Sequence, residues 1–67
     1  MSVARVTEIT ASSSESFAHA IQQGIDRANK TLKNVKGAWV RDQKLVCDNG
    51  KIAEYRVNMK VTFVLSE

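Results

Sequence analysis

The strongest pattern in the chain is the alternation from Ile52 to Leu65. Ala53, Tyr55, Val57, Met59, Val61, Phe63 and Leu65 are apolar, and Glu54, Arg56, Asn58, Lys60 and Thr62 between them are polar. A period of two over that length predicts one β-strand with one buried face. Strands usually run about 5–6 residues. At ~3.3 Å per residue this one spans roughly 45 Å. A compact globule of 67 residues is expected to be only ~26 Å across. The strand therefore outruns its own subunit, and neighbouring copies are expected to complete it.

Three further elements precede it. Met1 to Thr10 reads as a short strand with Val3, Val6 and Ile9 as its apolar members. Ser12, Ser13 and Ser14 follow as helix N-cap candidates. Ser12 with Glu15 fits a capping box, in which the two side chains satisfy N–H groups of the first turn; Ser13 is the other candidate. Phe17, Ile21, Ile25, Ala28 and Leu32 then recur at spacings of four and three, which gives one apolar helical stripe. Ala20 and Gly24 flank it and allow close approach to a sheet. Lys30 and Lys33 suit the negative end of the helix dipole. The stripe ends near Lys33, with Asn34 as the breaker. A second strand is expected from Gly37 to Asp48, and Asn49-Gly50 marks a type I′ hairpin turn.

The order is β-α-β-β, an α+β fold in which a three-stranded antiparallel sheet cradles one helix as a single domain over residues 1–67. The two-residue turn sets a register: Asp48 opposite Lys51, Cys47 opposite Ile52, Gln43 opposite Arg56, Arg41 opposite Asn58 and Trp39 opposite Lys60. Val40 and Val46 then lie with Val57 and Met59 on the helix side. Trp39, Arg41, Gln43, Leu45 and Cys47 lie on the other face, beside Glu54, Arg56, Asn58 and Lys60. Phe17, Ile21, Ile25, Leu32, Val57, Met59 and Val61 are the expected core.

Composition narrows the class. A domain this small buries only about 60% of its unfolded surface and is marginal alone. Disulfides, metals or oligomerisation rescue such scaffolds. Cys47 is the only cysteine and His19 the only histidine, so an internal disulfide and a structural zinc site are excluded and oligomerisation is left. The N-terminus lacks the apolar run of a signal peptide and nothing approaches a transmembrane span. A cytoplasmic protein with a reduced thiol is expected, without membrane partners. The net charge of +3 is spread over all elements and mixed with acidic residues. A nucleic-acid protein would cluster it, and a single tryptophan makes a poor base-stacking platform.

The arrangement resembles the dodecin family over nearly the whole chain. The resemblance rests on Ser13-Ser14-Glu15-Ser16-Phe17, Ala20-Ile21, Ile25-Asp26-Arg27-Ala28 and Thr31-Leu32. It also rests on Glu54-Tyr55-Arg56-Val57 leading into Lys60-Val61-Thr62-Phe63. It implies a hollow homododecamer and, as in flavin-binding members, a flavin (FMN or riboflavin) between subunits. Those members stack the flavin on a tryptophan and hydrogen-bond it through a glutamine. Aligned from Thr31-Leu32, the tryptophan position is Gly37, Trp39 lies two residues on, and the glutamine position is Arg56. Both departures resemble a divergent subgroup, some of which have been described as calcium-binding.

The candidate ligand residues are accordingly Trp39, Arg56, Gly37, Arg41 and Gln43. An exposed indole on a hydrogen-bonding face stacks on a planar ligand or is buried by another subunit. Arg41 and Arg56 suit a phosphate or carboxylate, or pair with carboxylates such as Glu54. His19 reads as a surface histidine with no acidic partner one turn away. Asp48-Asn49-Gly50 falls far short of the 6–8 oxygens of a calcium site. No nucleophile–base pair or phosphate-cradling loop is visible, so a binding and storage shell is expected rather than an enzyme, with an ion-binding or purely structural scaffold as the alternative.

Overall fold

A computed structural model describes residues 3–65. In chain order the elements are β1 (Ala4–Ser13), α1 (Phe17–Thr31), β2 (Val35–Asp48) and β3 (Lys51–Val64). The long alternation becomes β3, which sits between its neighbours in the antiparallel order β1-β3-β2. Both β1 and β2 are therefore edges. The chain is 51 Å along its longest axis and 14 Å along its shortest, as a strand longer than its subunit requires. No helix among the described residues is long and apolar enough to cross a membrane.

The helix covers the face of β3 that carries Val57, Met59 and Val61, all 0% exposed, and Phe63. Its own buried positions are Ala20, Gly24 and Ala28. Val57, Met59 and Val61 are core as expected, and Phe17, Ile21 and Ile25 pack against it half-buried; Leu32 is corrected, half-buried and outside that cluster. Small residues meet the sheet, so the axis comes close and the bulky side chains straddle the contact. Phe17 packs edge-on against Tyr55, with ring centroids 5.2 Å apart. α1 lies over β1 and β3 and only grazes β2.

The helix start also differs from expectation. Ser12 and Ser13 belong to β1, opposite Arg56 and Tyr55, so no capping box forms at Ser12. The cap is Ser16, whose Oγ accepts from the His19 N–H at 3.0 Å. Strand pairing takes Ser12 and Ser13, and the cap falls beyond the run, to Ser16. Position 1, the expected start of β1, lies outside the described residues. The helix closes at Leu32, and Asn34 takes the left-handed conformation (φ 63°). At the hairpin, Asn49 (φ 52°) and Gly50 (φ 75°) both have the positive φ that a type I′ turn needs.

The hairpin register is right at its ends and wrong in its middle. Asp48 opposes Lys51, Cys47 opposes Ile52 and Trp39 opposes Lys60. Between them two bulges intervene, one leaving Ala53 unpaired on β3 and one leaving Arg41 unpaired on β2. They shift the register by one and then restore it. Gln43 therefore opposes Val57 rather than Arg56, Lys44 opposes Arg56, and Asp42 rather than Arg41 opposes Asn58. A one-residue slip exchanges faces, so Gln43 and Leu45 lie on the helix side and Val46 on the other.

Candidate functional site

The face of the sheet turned away from α1 is polar and ordered in rows. One row is Trp39, Lys60 and Glu8, contributed by β2, β3 and β1. The next is Asp42, Asn58 and Thr10. Asn58 Nδ2 donates to Asp42 Oδ1 at 3.1 Å, and Thr10 Oγ1 donates to Asn58 Oδ1 at 2.6 Å. The row nearer the turn is Lys44, Arg56 and Ser12. Arg56 Nη2 donates to Glu54 Oε1 at 3.1 Å.

Arg41 joins this face because it is the extra residue of a bulge, which re-aims a side chain. Its Nη1 donates to Glu8 Oε2 at 2.7 Å, across the full width of β3. The hydrogen bond to Glu8, then the charges of Glu8 and Asp42, hold the guanidinium more firmly in its charged form. Trp39, Val40, Arg41 and Lys60 enclose a shallow recess of about 250 Å³. Trp39 is 66% exposed, so its ring is the wall available to a ligand. Lys60 makes no ion pair among the described residues.

The sequence-derived candidates divide accordingly. Trp39 and Arg41 line one recess. Arg56 is on the same face, four residues along β3 from Lys60, or roughly 13 Å. Gly37 is two pairs beyond Trp39, opposite Thr62 on the same face, and a Cβ there would meet nothing within 4 Å. Gln43 leaves the set, because the bulge at Arg41 turns it to the helix side. Sequence reasoning placed Lys60 opposite Trp39 but gave it no role. The Glu8–Arg41 pair needed the order β1-β3-β2, which no local pattern encodes.

A second polar cluster joins the end of β1 to the start of α1. Ser13 Oγ accepts from the Glu15 N–H at 2.9 Å and lies 2.6 Å from His19 Nδ1, while His19 Nε2 is 3.4 Å from Glu15 Oε2. The expectation for His19 is thus corrected, since Glu15 is its acidic partner one turn back. Ser13 is buried, and its hydroxyl is spent on these bonds. The cluster ties helix start to strand end. Among the described residues no three His, Cys, Asp or Glu side chains gather to hold a metal ion.

On the helix side, a larger groove of about 520 Å³ runs along the outer edge of β1. Ile9, Ala11, Gly24, Ala28 and Leu32 form its apolar walls, and Arg27 stands on its rim.

Comparison with known proteins agrees with this geometry. The sequence model of the Dodecin family matches residues 3–66. The structure of dodecin from Streptomyces davaonensis is 39% identical, with a TM-score of 0.94 over 98% of this chain and 97% of that one. A variant of Thermus thermophilus dodecin is 30% identical, with a TM-score of 0.94 over 100% of both chains. A calcium-chelating immunodominant antigen of Mycobacterium tuberculosis, called calcium dodecin, is 29% identical. It has a TM-score of 0.83 over 96% of this chain and 91% of that one. No protein of curated function matches the chain.

Proposed function

The chain belongs to the dodecin family, and on that premise we propose that it is a non-catalytic binding and storage protein. In this reading it forms a homododecameric shell and holds a flavin-type or anionic small ligand between subunits. The observation that carries the reading is Trp39, an exposed indole beside Lys60 and Arg41 on a face otherwise built of hydrogen-bonding side chains. A flat ring against the indole suits offset stacking. The two cations offer only donors, which suits an anionic substituent better than a neutral ring edge that must also donate. Gly37 supplies no stacking surface, and Arg56 is engaged with Glu54. The fit to a flavin is therefore partial, resting on one indole and on charge. The lone, exposed thiol of Cys47 suits a reducing compartment, so we place the shell in the cytoplasm.

The absorbance spectrum of the purified protein, with mass spectrometry of the supernatant after denaturation, tests the reading. A bound aromatic or anionic small molecule supports it. A colourless protein that releases none and takes up none in titration contradicts it.

A second reading is a shell that binds calcium and no flavin. The likeness to the calcium dodecin of Mycobacterium tuberculosis favours it. Among the described residues no three His, Cys, Asp or Glu side chains gather, and calcium takes 6–8 oxygens, so such a site would draw carboxylates from several subunits. Calcium titration by calorimetry on the flavin-free protein separates the two readings.

A further inference from the structure

Lys60 stands between Trp39 and Glu8 in one row of the sheet and is the direct cross-strand partner of both. Side chains directly opposed in this way lie about 5 Å apart at Cβ, so Lys60 is the cation closest in register to the Glu8 carboxylate. The carboxylate goes elsewhere. It reaches across β3, roughly 10 Å between the outer strands, and accepts from Arg41 Nη1 at 2.7 Å. The recess beside Trp39 thus holds two cations in different states. Arg41 is occupied by a carboxylate of the chain itself, whereas Lys60 makes no ion pair among the described residues. Asp42, the other acid of this neighbourhood, accepts from Asn58 in the next row.

We propose that Glu8 is the specificity-determining residue of this recess, a built-in competitor for the anionic group of the ligand. An incoming anion meets Lys60 unopposed. An anion that takes Arg41 instead displaces Glu8, which then turns back to Lys60, its direct cross-strand partner. Either way one cation faces the ligand and the other faces Glu8. The recess therefore balances a single negative charge beside the ring, such as a carboxylate, and is one cation short for a phosphate monoester, which carries about two charges near neutral pH. This rests on the proposed ligand reading and adds its charge rule.

Trp39 is the only tryptophan of the chain, so its fluorescence reports on the recess with no flavin present. At fixed ionic strength, its quenching by iodide, an anion, is compared with its quenching by neutral acrylamide. Glu8→Gln should raise the iodide constant by about two- to fivefold, the worth of an exposed ion pair, and leave the acrylamide constant unchanged. Lys60→Ala should lower the iodide constant in the wild-type background but not beside Arg41→Gln, where Glu8 has already turned to Lys60. In flavin titrations, Glu8→Gln should widen the preference for FMN over riboflavin by a similar factor. An iodide constant unmoved by Glu8→Gln, or a Lys60→Ala effect that persists in full beside Arg41→Gln, would overturn the competition whether or not a flavin binds. The expected iodide responses in a protein that binds neither flavin would support the competition and remove the flavin reading instead.

Discussion

Gly24 and Met59 meet with no space between them. A Cβ on Gly24 would overlap Met59 Cε and press to 3.1 Å from Ala11 Cβ. This contact sets how closely α1 lies on the sheet. Gly24→Ala adds helix propensity of about 1 kcal/mol but overpacks the site at a cost of about 1–3 kcal/mol. The overlap wins, because Met59 is fully buried and Ala11 closes the other side. The urea midpoint should fall at constant slope; a raised midpoint would show that the thioether swings aside freely.

The core is carried by β3 more than by the bulky positions of α1. Met59→Ala should cost about 2–5 kcal/mol, and Val57→Ala should also be severe, since each empties a site closed to water. Ile21→Ala should cost less, because Ile21 is half-buried. Denaturant unfolding of the three variants checks the order. An equal or larger loss at Ile21 would mean that the helix flank is the real core.

Ser16 is the helix cap, so Ser16→Ala should lower stability by about 1 kcal/mol. Ser12→Ala, on the exposed strand face, should change it by less than about 0.5 kcal/mol. Equilibrium unfolding that ranked the two the other way would restore the capping box at Ser12.

FMN should bind more weakly than in dodecins that keep the stacking tryptophan and the glutamine. It should still bind more tightly than riboflavin, because Lys60, in no ion pair among the described residues, offers it charge. Lys60→Ala should narrow the preference by about two- to fivefold, the worth of an exposed ion pair. Flavin fluorescence titration reads both. Tight nanomolar quenching abolished by Trp39→Ala would mean that Trp39 has taken over the full stacking role.

Much of this fold could be read from the chain because its signals are local. The alternation of β3, the Asn49-Gly50 turn and the 3.6-residue stripe of α1 each depend on neighbours in sequence. The bulges at Arg41 and Ala53 carry no glycine or proline to announce them, and they cancel, so the register looked whole from both ends. That hid the turn of Gln43 to the helix side and the reach of Arg41 to Glu8. The serine run offered several caps of equal chemistry, but β1 runs on to Ser13 in its pairing with β3, so the helix starts later and is capped by Ser16, outside that run. The stripe correctly named the helix face but overstated its bulky members, since close approach at Gly24 depends on the partner surface.

Native mass spectrometry of the purified protein, sprayed from micromolar solution, tests the shell and its cargo together. Twelve copies of a 7.4 kDa chain give a single species of about 89 kDa. The proposed function predicts that mass plus any retained small molecule, which is released on denaturation. A stable monomer or dimer of bare chain mass would contradict it.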